Sequence, residues 1–340
     1  MIKIKIQNPL IDRNRPTFAP LLHVKDMLRD YSIDITDSDD YDYEFVSGKE
    51  FVDLSLPLQE SIDWGIGQLS KKSGDYFIFH AGDSPQIMGA YEVFIESDAK
   101  YMFKKYLMTQ EDYKIPSIIG KWWFGTGSAL DKGYDIPDDV YSRMKLQGYN
   151  VPMNWTHLQK LESGSSNRDI DVCAIYRGIL DMDVYDHEVK TDVLYTKHRN
   201  GSWIKLSEIE NKYNIVKGNF PYDKTDQILS RSKMGVSPFG MAELCYRDME
   251  LTRWGCLILK PDMDRVIAEP NWLRANETYL PVKMDWSDLN ETIHKVLENY
   301  KDYQYIIDNA RKRMIEACSY ENVCLHWYDF FANLGGVENE

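Results

Sequence analysis

The sequence carries no P-loop, no Gly-x-Gly-x-x-Gly turn and no Gly-x-Ser-x-Gly elbow. P-loop ATP hydrolysis, dinucleotide redox chemistry and serine-hydrolase chemistry therefore lack their usual backbone. No two of its five cysteines form a Cys-x-x-Cys pair, and all lie in the C-terminal half, mostly in apolar contexts. Reduced, buried thiols and an intracellular compartment are expected. No apolar run approaches the roughly 18 residues that span a bilayer, and the first residues, MIKIKIQNPLI, alternate like a strand instead of forming a signal-peptide core. A cytoplasmic protein without a transmembrane segment is the expectation. Lysine and arginine are spread thinly, the nearest thing to a cluster being Lys71-Lys72 or Arg311-Lys312-Arg313, in a chain of net charge −14. A nucleic-acid partner, which calls for a basic face, is not expected. Internal repeats and low-complexity tracts are also missing.

What is present is 340 residues, 43% hydrophobic and 13% aromatic, more than one hydrophobic core comfortably serves. Short apolar strands alternate with amphipathic helices, which argues for an α/β fold. The polar stretch ESGSSNR, 162–168, separates two halves of similar size. The expected domains are 1–165, 166–320 and a C-terminal helix within 321–340 that crosses back to the first. Tyr91 to Glu96 is aromatic and reads as β-prone, Asp34 to Asp42 as a solvated acidic loop, and 189–199 and 206–213 as two helices.

The chain centres on Ser232 to Asp262: a short apolar strand, the turn Ser237-Pro238-Phe239-Gly240, a helix from about Ala242 to Trp254, a Gly255 stop and the buried strand Cys256 to Leu259. This is a βαβ unit whose turn aims helix N–H groups at an anion above the sheet. On a continuous helix Glu243, Arg247 and Glu250 share one face. The Glu250 carboxylate suits a vicinal diol such as ribose, or the three form a surface ladder of ion pairs.

The segments SKMGVSPFG, AELCYRDME, WGCLILKPDM and ETYLPVKMDWSDL resemble the C-terminal half of the group-1 and exostosin-like glycosyltransferases of the GT-B architecture, over roughly Asp169 to Arg313. The resemblance implies two Rossmann-like domains facing a central cleft. It implies a hexosyl- or pentosyltransferase that takes a nucleotide-sugar donor on its C-terminal domain and a glycan or other hydroxyl acceptor on its N-terminal domain. The family's ribose-binding Glu, five residues before a Gly, falls on Glu250. The backbone that contacts the diphosphate falls on Phe239, Gly240, Met241 and Ala242. A further family Glu, eight residues before the first, would fall on Ala242, with Glu243 one place on. The family's Arg after the first strand of the second domain falls on Arg177; Met182 stands where its Lys would be.

Departure of a nucleoside diphosphate needs charge stabilisation, which a helix N-terminus and one or two cations supply without a metal. Arg177, Lys233 and Lys260 are the candidates. An inverting enzyme also needs a base from across the cleft. Asp83 and His80 follow the strand at Tyr76, and Asp12 follows the first strand; a retaining enzyme needs none. Asp-x-Asp occurs at 37–39, 40–42, 169–171, 181–183 and 262–264, as composition alone would give, so neither metal nor other cofactor is expected. Trp64 and Trp122-Trp123-Phe124 read as packing or as a sugar-stacking surface. Two rival readings remain: a nucleotide-sugar-modifying enzyme or DNA-base glycosyltransferase on the same scaffold, and a non-catalytic nucleotide- or glycan-binding protein.

Overall fold

In the computed structural model the described residues are 1–6, 18–48, 51, 56–80, 87, 89–114, 133–148, 161–165, 167–176, 194–240, 243–317 and 319–335. In chain order they form β1 (Ile2–Ile6), α1 (Ala19–Asp30), β2 (Ile33–Thr36), β3 (Tyr43–Ser47), α2 (Leu58–Leu69), β4 (Tyr76–His80), α3 (Ala90–Ile95), β5 (Tyr101–Lys104), β6 (Tyr106–Met108), α4 (Gln110–Tyr113), α5 (Asp138–Ser142) and β7 (Met144–Leu146). There follow β8 (Ile170–Ile175), α6 (Leu194–Ser207), β9 (Ile215–Gly218), α7 (Tyr222–Arg231), β10 (Ser232–Val236), α8 (Tyr246–Arg253), β11 (Leu257–Pro261), β12 (Val266–Ala268), β13 (Leu280–Val282), α9 (Leu289–Glu298), α10 (Gln304–Ala317) and α11 (Tyr320–Gly335).

The strands build two parallel sheets, in the orders β2-β1-β3-β4-β5-β7 and β9-β8-β10-β11-β13. In each, the first strand lies between the second and third, so strand order reverses once. The reversal falls between β1 and β3 in one sheet and between β8 and β10 in the other. Connections leave such neighbouring strands in opposite directions, which opens a crevice at their carboxyl ends.

Alternation along each strand sorts side chains to the two faces. In the first sheet Phe45, Phe77, Phe79 and Phe103 face one way and Val46, Ile78 and Met102 the other. The phenylalanine face is covered by α1 and α11. Trp327 of α11 is fully buried, with its ring 5.7 Å from Phe45, 6.2 Å from Phe79 and 5.1 Å from Phe103. The last helix thus packs on the first sheet, and Tyr31, the residue after α1, meets its Tyr328 at 4.7 Å. A second tie is the antiparallel ribbon of β6 and β12, in which Leu107 pairs with Ile267. Among the described residues no helix is long and apolar enough to cross a membrane. Cys173, Cys245, Cys256 and Cys324 are free thiols; Cys318 lies outside the described residues.

Several sequence expectations change. Tyr91 to Glu96 is mostly helix α3, because Glu92 reaches back to accept the Gly89 N–H at 2.8 Å and caps it. The acidic run begins as strand β2, since Ile33 and Ile35 pair with Ile2 and Ile4 and are buried with Ile4 in the core. In place of the two helices expected at 189–199 and 206–213, one helix, α6, runs through the gap between them and ends at Ser207, and 208–213 are turn and bend; residues 189–193 lie outside the described residues.

Replacing Trp327 by Ala is expected to lower stability by about 3–5 kcal/mol, the usual cost of an aromatic-to-alanine cavity. Urea unfolding followed by fluorescence measures it. A loss under 1 kcal/mol would mean that α11 is not holding the phenylalanine face.

Candidate functional site

The carboxyl end of β10 sits at the strand-order reversal of the second sheet. Two glycines let the chain reach this geometry. A Cβ on Gly235 would collide with Leu251 of α8, so the helix lies close on the strand. Gly255, at φ +67°, ends the helix in the left-handed region. The helix starts at Tyr246, later than the expected Ala242, because the Asp248 carboxylate accepts the Cys245 N–H at 2.8 Å and caps the first turn from inside. Glu243 consequently lies ahead of the helix, and only Arg247 and Glu250 share its face.

Asp248 is fully buried. Its second oxygen accepts the Ser237 hydroxyl at 2.6 Å, and Lys260 Nζ, also fully buried, stands 3.1 Å from Oδ2. One carboxylate therefore ties the turn after β10, the start of α8 and the end of β11. Over this pair lies the Phe239 ring, with Lys260 Nζ 5.0 Å and Arg265 Cζ 5.8 Å from its centroid. Arg199 Nε donates to Phe239 O at 3.2 Å, and its guanidinium lies against Gly240, where a Cβ would come 2.7 Å from Nη2. Arg247 Nη1 is 3.3 Å from Glu250 Oε2. Arg199 and Arg247 both act electrostatically on Tyr176, the residue following β8.

Four cationic side chains thus gather where β8 and β10 end, in a chain of net charge −14. Among the described residues, Lys260 Nζ, Arg247 Nε and Nη1, and Arg265 Nε and Nη2 are buried without an aligned hydrogen-bond acceptor. Buried donors left this way cost about 1–3 kcal/mol each, more for charged groups. An anion of several oxygens would satisfy them. Glu243 is 4% exposed; burial pushes its carboxyl above the ordinary value, against its own backbone N–H, Arg265 and Lys260. Glu250 is 9% exposed. Neither acid belongs to a solvated surface ladder.

Of the residues expected from sequence, Phe239, Gly240, Glu243, Arg247, Glu250 and Lys260 come together. Lys233 does not: it sits at the amino end of β10, bonded to Asp171 at 2.7 Å. Met241, Ala242, Arg177, Asp12, Asp83, Met182 and Trp122-Trp123-Phe124 lie outside the described residues. Arg177 directly follows Tyr176, and Asp12 lies between β1 and α1. His80 ends β4 with Nδ1 2.7 Å from Lys104 Nζ. Burial, then the Lys104 charge, pushes its imidazole well below the ordinary value. With the ammonium donating to Nδ1, the ring proton sits on Nε2.

The Asp-x-Asp pairs at 169–171 and 37–39 serve structural contacts: Asp169 pairs with Arg231, Asp171 with Lys233 and Asp39 with Lys5. Asp262 accepts the Asp264 N–H at 2.8 Å. No group of three His, Cys, Asp or Glu able to hold a metal occurs among the described residues. Asp248, Arg199 and Arg265 were not anticipated. A lysine ending the apolar strand LILK is a signal that a buried carboxylate must meet it, and Cys-x-x-Asp ahead of the helix marks the cap. Nothing local marks Arg265.

No protein-family model matches the chain, and no curated protein matches it by sequence. Its architecture is shared with solved structures. Anabaena HepE in complex with UDP superposes with a TM-score of 0.52 at 9% identity, covering 98% of this chain and 100% of that one. HepE with UDP and glucose gives 0.50 at 8%, over 98% and 100%. This chain has the GT-B fold. Sucrose-phosphate synthase from Thermosynechococcus elongatus also aligns, with a TM-score of 0.48, 11% identity and coverage of 96% and 80%. In GT-B terms the first sheet is the N-terminal Rossmann-like unit, the second the C-terminal one.

Replacing Lys260 by Met leaves Asp248 buried beside no cation and is expected to cost about 3–5 kcal/mol. Adding Asp248→Asn should recover much of it. A single variant as stable as the parent in urea unfolding would remove the pair from its organising place.

A pH effect also follows. His198 donates Nδ1–H to Met284 O at 3.2 Å and packs on Trp286, ring centroids 4.6 Å apart. Burial first, with Lys260, Arg199 and Arg265 adding to it, lowers its pKa to about 3. Below the free value of 6.5 the unfolded chain takes a proton that the folded chain refuses. Stability is therefore whole above pH 6.5 and falls with pH, by about 1.4 kcal/mol per unit for one such group. His80 and His326 are lowered in the same sense. Unfolding midpoints should drop from pH 7 to pH 5, less steeply in His198→Gln; equal slopes would refute the assignment.

Proposed function

We infer that the chain is a metal-independent glycosyltransferase that moves a sugar from a nucleoside-diphosphate donor to a hydroxyl-bearing acceptor. The observation that carries this reading is the gathering of Arg199, Arg247, Lys260 and Arg265 around Phe239 and Gly240, at the strand-order reversal of the C-terminal sheet. GT-B neighbours in complex with UDP, and with UDP and glucose, support the same reading.

In this reading the domain of residues 166–320 holds the donor and that of residues 1–165 the acceptor, with α11 packed on the latter. The Glu250 carboxylate accepts both hydroxyls of the ribose and is oriented by Arg247 at 3.3 Å. The backbone of Phe239 and Gly240 approaches the diphosphate, and the resemblance assigns Met241, Ala242 and Arg177 to the same role. As the bond from the anomeric carbon to the diphosphate oxygen lengthens, negative charge grows on the phosphate. Preplaced cations in a water-poor site stabilise that charge without reorganising. Glu243 is kept from solvent beside Arg265 and Lys260. If configuration is inverted, the acceptor proton goes to Asp83 or Asp12. His80 is a poorer base, because Lys104 occupies the Nδ1 lone pair and Nε2 already carries hydrogen.

Thermal unfolding in the presence of UDP, GDP, ADP, CDP and dTDP, with and without EDTA, tests the proposal. One nucleotide should stabilise the fold by about 2.7 kcal/mol at a hundredfold excess over its Kd, equally in EDTA. Glu250→Gln should weaken that nucleotide about ten- to a hundredfold through loss of charged hydrogen bonds to the ribose. The absence of a shift with every nucleotide would end the donor-binding reading, and loss of the shift in EDTA would end metal independence.

A further inference from the structure

We propose that Arg265 is the residue that distinguishes a nucleoside diphosphate from a nucleoside, clamping the departing diphosphate from the ribbon that joins the two sheets. The proposal rests on the donor-site reading above and adds a group that neither the sequence pattern nor the site's own βαβ unit supplies.

Three observations converge on it. Arg265 projects over the Phe239 ring, 5.8 Å from its centroid, beside Lys260 and within electrostatic reach of Glu243 and His198. Its Nε and Nη2 are buried and meet no acceptor among the described residues, whereas a buried guanidinium ordinarily has its planar fork filled by a carboxylate or phosphate. Neighbouring acids do not fill it: Asp248 is engaged by Ser237, Cys245 and Lys260, and Glu243 Oε2 is itself without a hydrogen-bond partner. The two orphaned N–H groups and the nearby Lys260 ammonium match an anion with oxygens on two adjacent phosphorus atoms.

The backbone position gives the residue a second consequence. Arg265 immediately precedes β12, whose three residues pair with β6 of the first sheet. Its guanidinium is therefore anchored to the junction of the halves, while Lys260 and Arg247 belong to the second sheet and its helix. An occupied diphosphate site would draw on a side chain held by that ribbon.

The test measures binding to the full chain by calorimetry, using uridine, UDP and inorganic pyrophosphate, or the nucleoside and diphosphate of whichever base binds the parent best. Arg265→Gln should weaken the nucleoside diphosphate and pyrophosphate about ten- to a hundredfold, as loss of a charge-assisted pair does, and leave the nucleoside within about twofold. Arg265→Lys should restore part of the diphosphate affinity, because it keeps the charge but not the fork. If the parent binds a nucleoside diphosphate and Arg265→Gln binds it equally, this proposal fails and the donor-site reading stands. If the variant loses nucleoside and diphosphate affinity in the same proportion, Arg265 only supports the fold and the proposal also fails. A parent that binds none of the nucleotides or pyrophosphate overturns both.

Discussion

The ion pair of Lys260 and Asp248, with both side chains removed from water, is the constraint on which the rest of the site depends. Burying two charges is expensive, and their attraction repays it only where the remaining hydrogen-bonding capacity is used. Asp248 uses its capacity on Ser237 and the Cys245 N–H, and so fixes three pieces of chain that are remote in sequence. The turn after β10 cannot drift from the helix that follows it, nor the helix from the end of β11. The pair is neutral as a whole, but it leaves the Lys260 ammonium without an aligned acceptor beneath the Phe239 ring. A purely apolar junction would hold the same elements together at least as well.

Both sheets repeat one solution. Each reverses strand order beside its first strand, and each opens a crevice there. The two crevices are of different character: the C-terminal one is ringed by arginine and lysine, while the described wall of the N-terminal one offers His80, made neutral by its surroundings. The α11 helix and the β6–β12 ribbon connect the halves in different ways. Trp327 buries aromatic area against the first sheet, which is strong and non-directional; the ribbon contributes a few directional backbone bonds and bears Arg265 at its edge.

The strands of both cores were legible because they are short apolar runs bounded by turn residues: IKIKI, YFIFH, IDVCAI and the LILK of β11. So was the Gly240 turn with Glu250 beyond it, whose spacing to Gly255 is local. The three-residue strands β6 and β12 were not recognised as a pair, since a pairing of that length is defined by its partner rather than by its own pattern. The helix α3 was obscured by aromatic residues with a strand preference, which one glutamate cap outweighed. In the site, Asp248 and Lys260 are twelve residues apart and meet only because a helix folds back over a strand. Lys233 misled for the complementary reason: it is near the turn in sequence but enters the strand at the wrong end.

The overall charge and the local charge argue in opposite directions, and the local one decides. An acidic molecule repels a nucleotide at long range, and at physiological salt that repulsion is screened beyond about 8 Å. Inside the crevice the cations act through a low-dielectric wall and are screened far less. The net charge of −14 therefore does not describe the surroundings of Phe239 and Gly240, where Lys260 and the three arginines set the local field. A chain-wide charge count misses such a cluster because its members are remote in sequence and meet only at the carboxyl ends of β8, β10 and β11.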